Sequence, residues 1–326
     1  MALTIEQAIA RVPFLAHAKG LKTTLLPGGI TNLNYRIDYD GTSCVLRITG
    51  ENTELLGIRR EVEHAANRAA GKLGVAPEVL FFIEPEGYLV TRFVDGSPVP
   101  PEAMVTPYNI QRVAAKIRAF HKQAPPLEAE FNVFRRVKML TEVSRRHGCR
   151  FSEDFDWIQQ KMHEVEAALL KDPYAATPCH DDLLNLNFLD EDGDVRILDW
   201  EYAGMGDIFF DLSNFSHHHR FTDDQVRMLL VAYFGEVTTR LFARLKLMWP
   251  MSEIHEAMWG TTQTGISTLN VDFQGYADLW FGRATQALQD PRYAQWLKDV
   301  APGNRDRHIF AIMPLTSFLW LTQHIE

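Results

Sequence analysis

Apolar positions recur at helical spacing from Ile5 to Leu15 and predict a short helix ending near Pro13. Strand spacing follows. Leu33, Tyr35, Ile37 and Tyr39 alternate, Asp40–Gly41 supplies a turn and "CVLRIT" returns, which predicts a hairpin. "IRREVEHAANRAAGKLG" then predicts a helix with Val62, Ala65, Ala66 and Ala69 on one face and Gly74 closing it. "APEVLFFIEPEGYLVTRFVDG" predicts two further strands about a turn at Pro85–Gly87. Residues 1–92 therefore form a small lobe of strands with one long helix, and the division falls near "RFVDGSPVPP".

Residues 93–326 carry a different pattern. Ile110, Val113, Ala114, Ile117 and Phe120 recur at helical spacing until "APP", and so do Ile158, Met162, Val165 and Leu169, and Val226, Leu229, Leu230 and Tyr233. "NFLDEDGDVRILDW" interrupts them as two short apolar runs around an acidic, glycine-containing turn, a small hairpin. No internal repeat or low-complexity tract is present.

Composition narrows the partners. Hydrophobic residues at 46% and charged residues at 23% are ordinary for a globular chain. A formal net charge of −9 gives nucleic acid or an anionic membrane no general attraction. The three cysteines, Cys44, Cys149 and Cys179, are too far apart for a disulfide framework or a zinc motif. The start lacks a signal-peptide layout, and no apolar run approaches the roughly 20 residues of a membrane span, so a cytoplasmic protein is expected.

The acidic stretch from Cys179 to Phe215 holds the candidate chemistry. Asp182, Asn187 and Asp199 lie at the two ends of the predicted hairpin. One Asn and one Asp suit Mg²⁺, which takes a few protein oxygens alongside waters and phosphates. A further carboxylate outside that shell can take the proton of an attacking hydroxyl, the division of labour that phosphoryl transfer needs.

The run His180-x-Asp182-x4-Asn187, then Ile197-Leu198-Asp199-Trp200-Glu201, then Gly206-Asp207-x3-Asp211-Leu212, resembles the signature of choline/ethanolamine kinases within the aminoglycoside phosphotransferase superfamily. The resemblance spans almost the whole chain. It implies an α+β, bilobal protein-kinase-like fold: a small N-terminal antiparallel sheet plus helix, and a larger, mainly helical C-terminal lobe. It further implies ATP and Mg²⁺ as cofactors, Asp182 as base, Asn187 and Asp199 as metal ligands, and His180 and Asp211 as braces of the catalytic loop. "PGGITNLNY" looks like the family's nucleotide loop, offering Gly28, Gly29, Thr31, Asn32 and Asn34. Arg47 stands at the phosphate-binding position, with Glu63 as its ion-pair partner and Glu61 as the fallback; read alone, Arg47 is a solvent-facing strand residue. Thr91, Phe93 and Val94 fall at the hinge where adenine docks.

The acceptor is read from "WGTTQTGISTLNVDFQGYA", which resembles the helix pair of choline and ethanolamine kinases, with Trp259, Gln263, Ser267 and Tyr276 in register. Trp259 and Tyr202 are the candidate cage for an ammonium head, where a cation–π contact is worth roughly 0.5–2 kcal/mol, and Glu201 the candidate charge. Glu256 stands where choline kinases commonly place a second Trp, a departure that favours a primary amine or another cationic alcohol over a quaternary ammonium. Core packing is the alternative for Trp259, Tyr276 and Trp280. His217–His219 reads as surface or a loop at the acceptor pocket, and His121 as structural. Asp190, Asp192 and Asp194 read as a solvated turn, Asp207 as a second brace of the loop, and Asp181 as a position that tolerates Asn. The expected activity is ATP-dependent phosphorylation of a small, cationic amino alcohol. Alternatives are a kinase for thiamine, methylthioribose or an aminoglycoside, a nucleotide-binding pseudokinase, and a metallophosphohydrolase.

Overall fold

In the computed structural model, which describes residues 3–27, 29, 31–303 and 306–308, two short helices come first, α1 (Ile5–Ala10) and α2 (Pro13–Ala16). Thr4 and Gln7 close a capping box on α1, while Pro13 opens α2, so the single helix expected here is two. Five strands follow: β1 (Lys22–Leu25), β2 (Leu33–Tyr39), β3 (Thr42–Ile48), β4 (Val79–Ile83) and β5 (Tyr88–Arg92). They form one antiparallel sheet in the order β1-β2-β3-β5-β4. Asp40 and Gly41 both take positive φ, 44° and 77°, the tight turn that "DG" predicts. β1 carried no sequence signal because all four of its residues are exposed, so no alternation marks it.

Ile37, Leu46, Ile83 and Val90 of the sheet pack with Ala8, Val12 and Leu15 in a small core. Helix α3 (Arg60–Lys72) crosses between layers: Val62, Ala66, Ala69 and Ala70 join the larger core of the helical region. Ala65 is exposed, and Glu63 is the buried residue of that face instead.

Past the sheet come β6 (Ser97–Pro98), α4 (Pro101–Met104), α5 (Pro107–Gln123), α6 (Val133–Arg146) and α7 (Phe155–Leu169). Four short strands follow: β7 (Thr177–Cys179), β8 (Phe188–Glu191), β9 (Asp194–Ile197) and β10 (Gly204–Gly206). The remaining helices are α8 (Ile208–His218), α9 (Asp223–Phe234), α10 (Thr239–Ile266), α11 (Phe273–Leu288) and α12 (Tyr293–Asp299). α10 runs 28 residues, keeps Pro250 inside it, and is buried on most of its circumference, as a helix surrounded by others must be. Each Leu, Ile or Phe fully buried here contributes about 1.5–3 kcal/mol. The helical segments expected at 110–120, 158–169 and 226–233 lie within α5, α7 and α9, with their predicted apolar faces buried. The apolar tail "FAIMPLTSFLWLTQHIE" lies outside the described residues. No helix among the described residues is long and apolar enough to cross a membrane.

Candidate active site

Two antiparallel strands, β7 and β10, frame the loop that begins at His180. Asp211, one turn into α8, accepts the backbone N–H groups of His180 (2.9 Å) and Asp181 (2.7 Å). His121 Nε2 donates to the same carboxylate (2.8 Å), and its Nδ1 meets the Tyr233 hydroxyl (2.7 Å). Burial opposes ionisation of Asp211, but the His121 hydrogen bond and the nearby imidazoles outweigh it and hold its pKa below the ordinary value. His180 Nδ1 accepts the Asp182 N–H (3.1 Å) while Nε2 donates to the Leu198 carbonyl (2.9 Å). Burial pushes its pKa down to about 4, so this ring is a neutral clip between the loop and the strand after it. Asn214 Oδ1 takes the Leu183 N–H, which fixes the chain on the other side of Asp182.

The hairpin of β8 and β9 returns the chain to the same place. Asp192 and Gly193 take positive φ at its tip, and the Leu198 N–H donates to the Asn187 carbonyl (2.8 Å). Asn187 Nδ2 donates to the Asp182 carbonyl (2.9 Å). Asp199, at φ 62°, accepts from Arg47 Nη1 (2.7 Å), and the other guanidinium nitrogen of Arg47 pairs with Glu63. Glu61 is instead exposed and bound to Arg59 (3.0 Å), so the fallback partner is out of reach.

Not every expected residue faces the cleft that these elements enclose, about 470 Å³ in volume. Gly29, Thr31, Asn34, Arg47, Thr91, Phe93 and Val94 line it, as do Asp182, Asn187, Asp199, Glu201, Tyr202 and Trp259. Gly28 lies outside the described residues. Asn32 and Glu63 are buried behind the wall. Asn32 accepts the Gly50 N–H (3.2 Å) and donates to Glu201 Oε2 (3.1 Å), which ties the Gly-rich loop to the far side of the cleft. Arg60, which the sequence did not single out, binds Glu63 (2.7 Å), Glu201 (3.1 Å) and Thr53 (3.0 Å). The charge of Glu201 is thereby already partnered. Tyr202 likewise has the Arg136 guanidinium 5.3 Å from its ring centroid, and Phe93 has Arg36 at 4.2 Å.

The opposite end of the cleft is built from α8, α10 and α11. Polar atoms of Asp182, His218 and Glu256 all lie within 4.8 Å of one another. Glu256 accepts the Tyr276 hydroxyl (2.6 Å) and stands 3.4 Å from His218 Nε2; Trp259 meets Tyr276 edge-on at 5.4 Å. Burial, then the charges of Glu256, Asp199 and Glu201, raise the pKa of Asp182 well above the ordinary value. Burial also opposes ionisation of Glu256, but His218, His255 and Tyr276 outweigh it and lower its pKa. The two carboxyls are thus pushed apart, Asp182 toward higher proton affinity and Glu256 toward lower.

The three consecutive histidines are neither surface nor loop. They close α8, His217 on Ser252 (2.9 Å) and His219 on the Phe215 carbonyl (2.7 Å), with His218 turned to Glu256. Their buried packing escaped the sequence because "SHHHRF" has no apolar period. Asp207 caps α8 through the Phe209 N–H (3.0 Å) and pairs with Arg244 (2.7 Å), so it anchors helices rather than the loop. Asp190 pairs with Arg112 and Asp194 with Lys116 (2.7 Å), so only Asp192 is a free, exposed turn residue there.

Residues 23–227 match the family model described as choline/ethanolamine kinase. The chain belongs to the choline/ethanolamine kinase family. A choline/ethanolamine kinase family structure from Mesorhizobium loti is 30% identical, covers 90% of this chain and 97% of that one, and superposes with a TM-score of 0.79. Rat ethanolamine kinase 2 is 25% identical over 81% of this chain and 75% of its own. LicA of Haemophilus influenzae is 24% identical over 64% of this chain and 62% of its own, so the match spans under two thirds of that relative. Two more distant structures share the fold: LicA with AMP, 20% identical over 90% of this chain and all of that one with a TM-score of 0.71, and spectinomycin phosphotransferase, 13% identical over 92% and 98% with a TM-score of 0.57. Membership places the chain among phosphotransferases that act on an alcohol.

Proposed function

We propose that this kinase moves the γ-phosphate of ATP to the hydroxyl of a small cationic amino alcohol, with Mg²⁺ as the metal. The proposal rests on one pair of carboxylates in the cleft, Asp182 and Glu256, whose polar atoms lie within 4.8 Å of each other. Charge-assisted hydrogen bonds span about 2.7–2.9 Å. An acceptor with its hydroxyl and ammonium about two carbons apart can bond Asp182 through the one and Glu256 through the other. Trp259 and Tyr276 flank that ammonium with aromatic surface.

Asp182 takes the hydroxyl proton as base. Its raised proton affinity serves that role, because a carboxylate at its ordinary pKa is a weak proton acceptor from an alcohol. Gly29, Thr31, Asn34 and Arg47 border the phosphate end, and Thr91, Phe93 and Val94 the adenine end. Nucleotide use is supported by the structural neighbour that holds AMP. The donor set fits Mg²⁺: Asn187 uses its NH₂ on the Asp182 carbonyl, which leaves Oδ1, and Arg47 holds only one oxygen of Asp199. A metal bound there would neutralise phosphate charge.

ADP release, measured with ethanolamine, choline, thiamine, methylthioribose and kanamycin, tests the proposal. Turnover with an amino alcohol, abolished by EDTA and restored by Mg²⁺, is the expected result. Nucleotide binding with no turnover on any of the five would replace it with a pseudokinase.

A further inference from the structure

Beside the Asp182–Glu256 pair, the cleft holds polar atoms with nothing to bond. Both carboxylate oxygens of Asp181 and both ring nitrogens of His255 lack a hydrogen-bond partner among the described residues, and so does the buried Nε of Arg136. Asp181 is 1% exposed and His255 3%, yet both line the cleft. His255 and Arg136 gather around one aromatic corner. The His255 ring meets Phe131 edge-on at 5.5 Å and Tyr202 at 6.0 Å, and the Arg136 guanidinium stands 5.3 Å from each of the same two rings. A Cβ on Gly206 would lie 3.1 Å from the Phe131 carbonyl and 3.5 Å from Asp181 Oδ1, which sets Asp181 beside the Phe131 main chain.

A buried polar group left unpaired costs about 1–3 kcal/mol, and native folds leave few such groups. Five such atoms around Phe131, on Asp181, His255 and Arg136, point to a polar guest. An anionic guest is opposed by Asp182 and Glu256. A second cation is opposed by Arg136, which donates to the Leu56 (2.6 Å) and Gly57 (3.2 Å) carbonyls. A neutral hydroxyl, which both donates and accepts, suits the carboxyl and the imidazole together.

Building on the amino-alcohol acceptor proposed above, we propose that Asp181 and His255 form an inner subsite for a second hydroxyl of the acceptor. The preferred substrate is then an amino diol rather than a monohydric amino alcohol.

The test compares kcat/KM for ethanolamine, 3-amino-1,2-propanediol and 2-amino-1,3-propanediol in the wild-type enzyme at saturating ATP. One matched neutral hydrogen bond predicts a preference of up to about 10-fold for one of the diols. His255→Phe should bring that ratio to about one, and His255→Gln, which keeps a donor and an acceptor, should hold part of it. KM for ATP separates this from a general loss of structure, because a subsite for the acceptor leaves it in place. Equal or better turnover of ethanolamine in the wild type overturns the subsite, leaving water as its occupant and the amino-alcohol activity intact. Failure of all three acceptors overturns the subsite, and failure of choline alongside them overturns the amino-alcohol proposal as well.

Discussion

Replacing Glu256 with Gln removes a charge and little else. The amide keeps the volume, and it can still accept the Tyr276 hydroxyl that Glu256 accepts at 2.6 Å. What disappears is the negative charge 3.4 Å from His218 and close to Asp182. A buried hydrogen bond to a charged group is worth about 1.5–3 kcal/mol net. At 1.36 kcal/mol per factor of ten, that predicts a fall of about 10- to 150-fold in kcat/KM for a cationic amino alcohol. The loss should sit mainly in KM, because the ammonium is held equally in the ground and transition states. The assay is ADP release at fixed, saturating ATP, with ethylene glycol as the uncharged analogue. Its turnover should change far less than that of the amine. A fall of under about threefold for the amine, or an equal fall for the glycol, would refute Glu256 as the cation's partner.

Asp182→Asn should lower kcat by about 10²–10⁴ while a fluorescent ATP analogue still titrates; wild-type turnover would sink the base assignment. Arg47→Met leaves Glu63, 2% exposed, paired among the described residues with Arg60 alone. Truncating one member of a buried ion pair costs about 3–5 kcal/mol, so thermal unfolding should shift down and KM for ATP rise together. Acid should also unfold the protein early. His180, His219 and His255 have folded pKa values of about 4 against an ordinary 6.5, because burial disfavours their charged form. A depressed folded pKa means that the unfolded chain binds the proton first. Stability is then complete above pH 6.5 and is lost as pH falls toward 4, by up to about 3 kcal/mol for each ring. Urea midpoints that stay flat over that window would refute this.

Much of the fold was legible because periodicity and turn chemistry agreed. The hairpin of β2 and β3, helix α3 and the acidic hairpin of β8 and β9 each announce themselves by spacing and by a Gly at the turn or end. β1 did not, since an exposed edge strand needs no apolar alternation, nor did the buried side of α10, which lacks a stripe. In the site, Asp182 and Asn187, singled out by local spacing, both line the cleft. Partners joined only by tertiary packing carry no such spacing. Arg60 and Arg136 sit in ordinary helical sequence, and nothing near them in the chain points to Glu201 or Tyr202.

The acidic density of the stretch after Cys179 resolves once the cations are placed beside it. Arg47 takes Glu63 and part of Asp199, and Arg60 with Asn32 takes Glu201. Asp211 is held by two backbone N–H groups and His121, and Asp207 by Arg244. Tyr202 already carries Arg136 near its ring. Among the groups named as candidates for an ammonium, Glu256 is the one whose negative charge faces the cleft opposed only by imidazoles and a phenol hydroxyl. Under the proposed function, acceptor charge is therefore read at position 256, not at position 201. A Trp there would leave the aromatic attraction and remove the salt-bridge partner. The physics then predicts that Glu256→Trp shifts the preference from amines with N–H donors toward quaternary ammonium, which makes no hydrogen bond to a carboxylate. Choline and ethanolamine compared at equal concentration decide it: a ratio unmoved by the substitution would place the discriminating group elsewhere in the cleft.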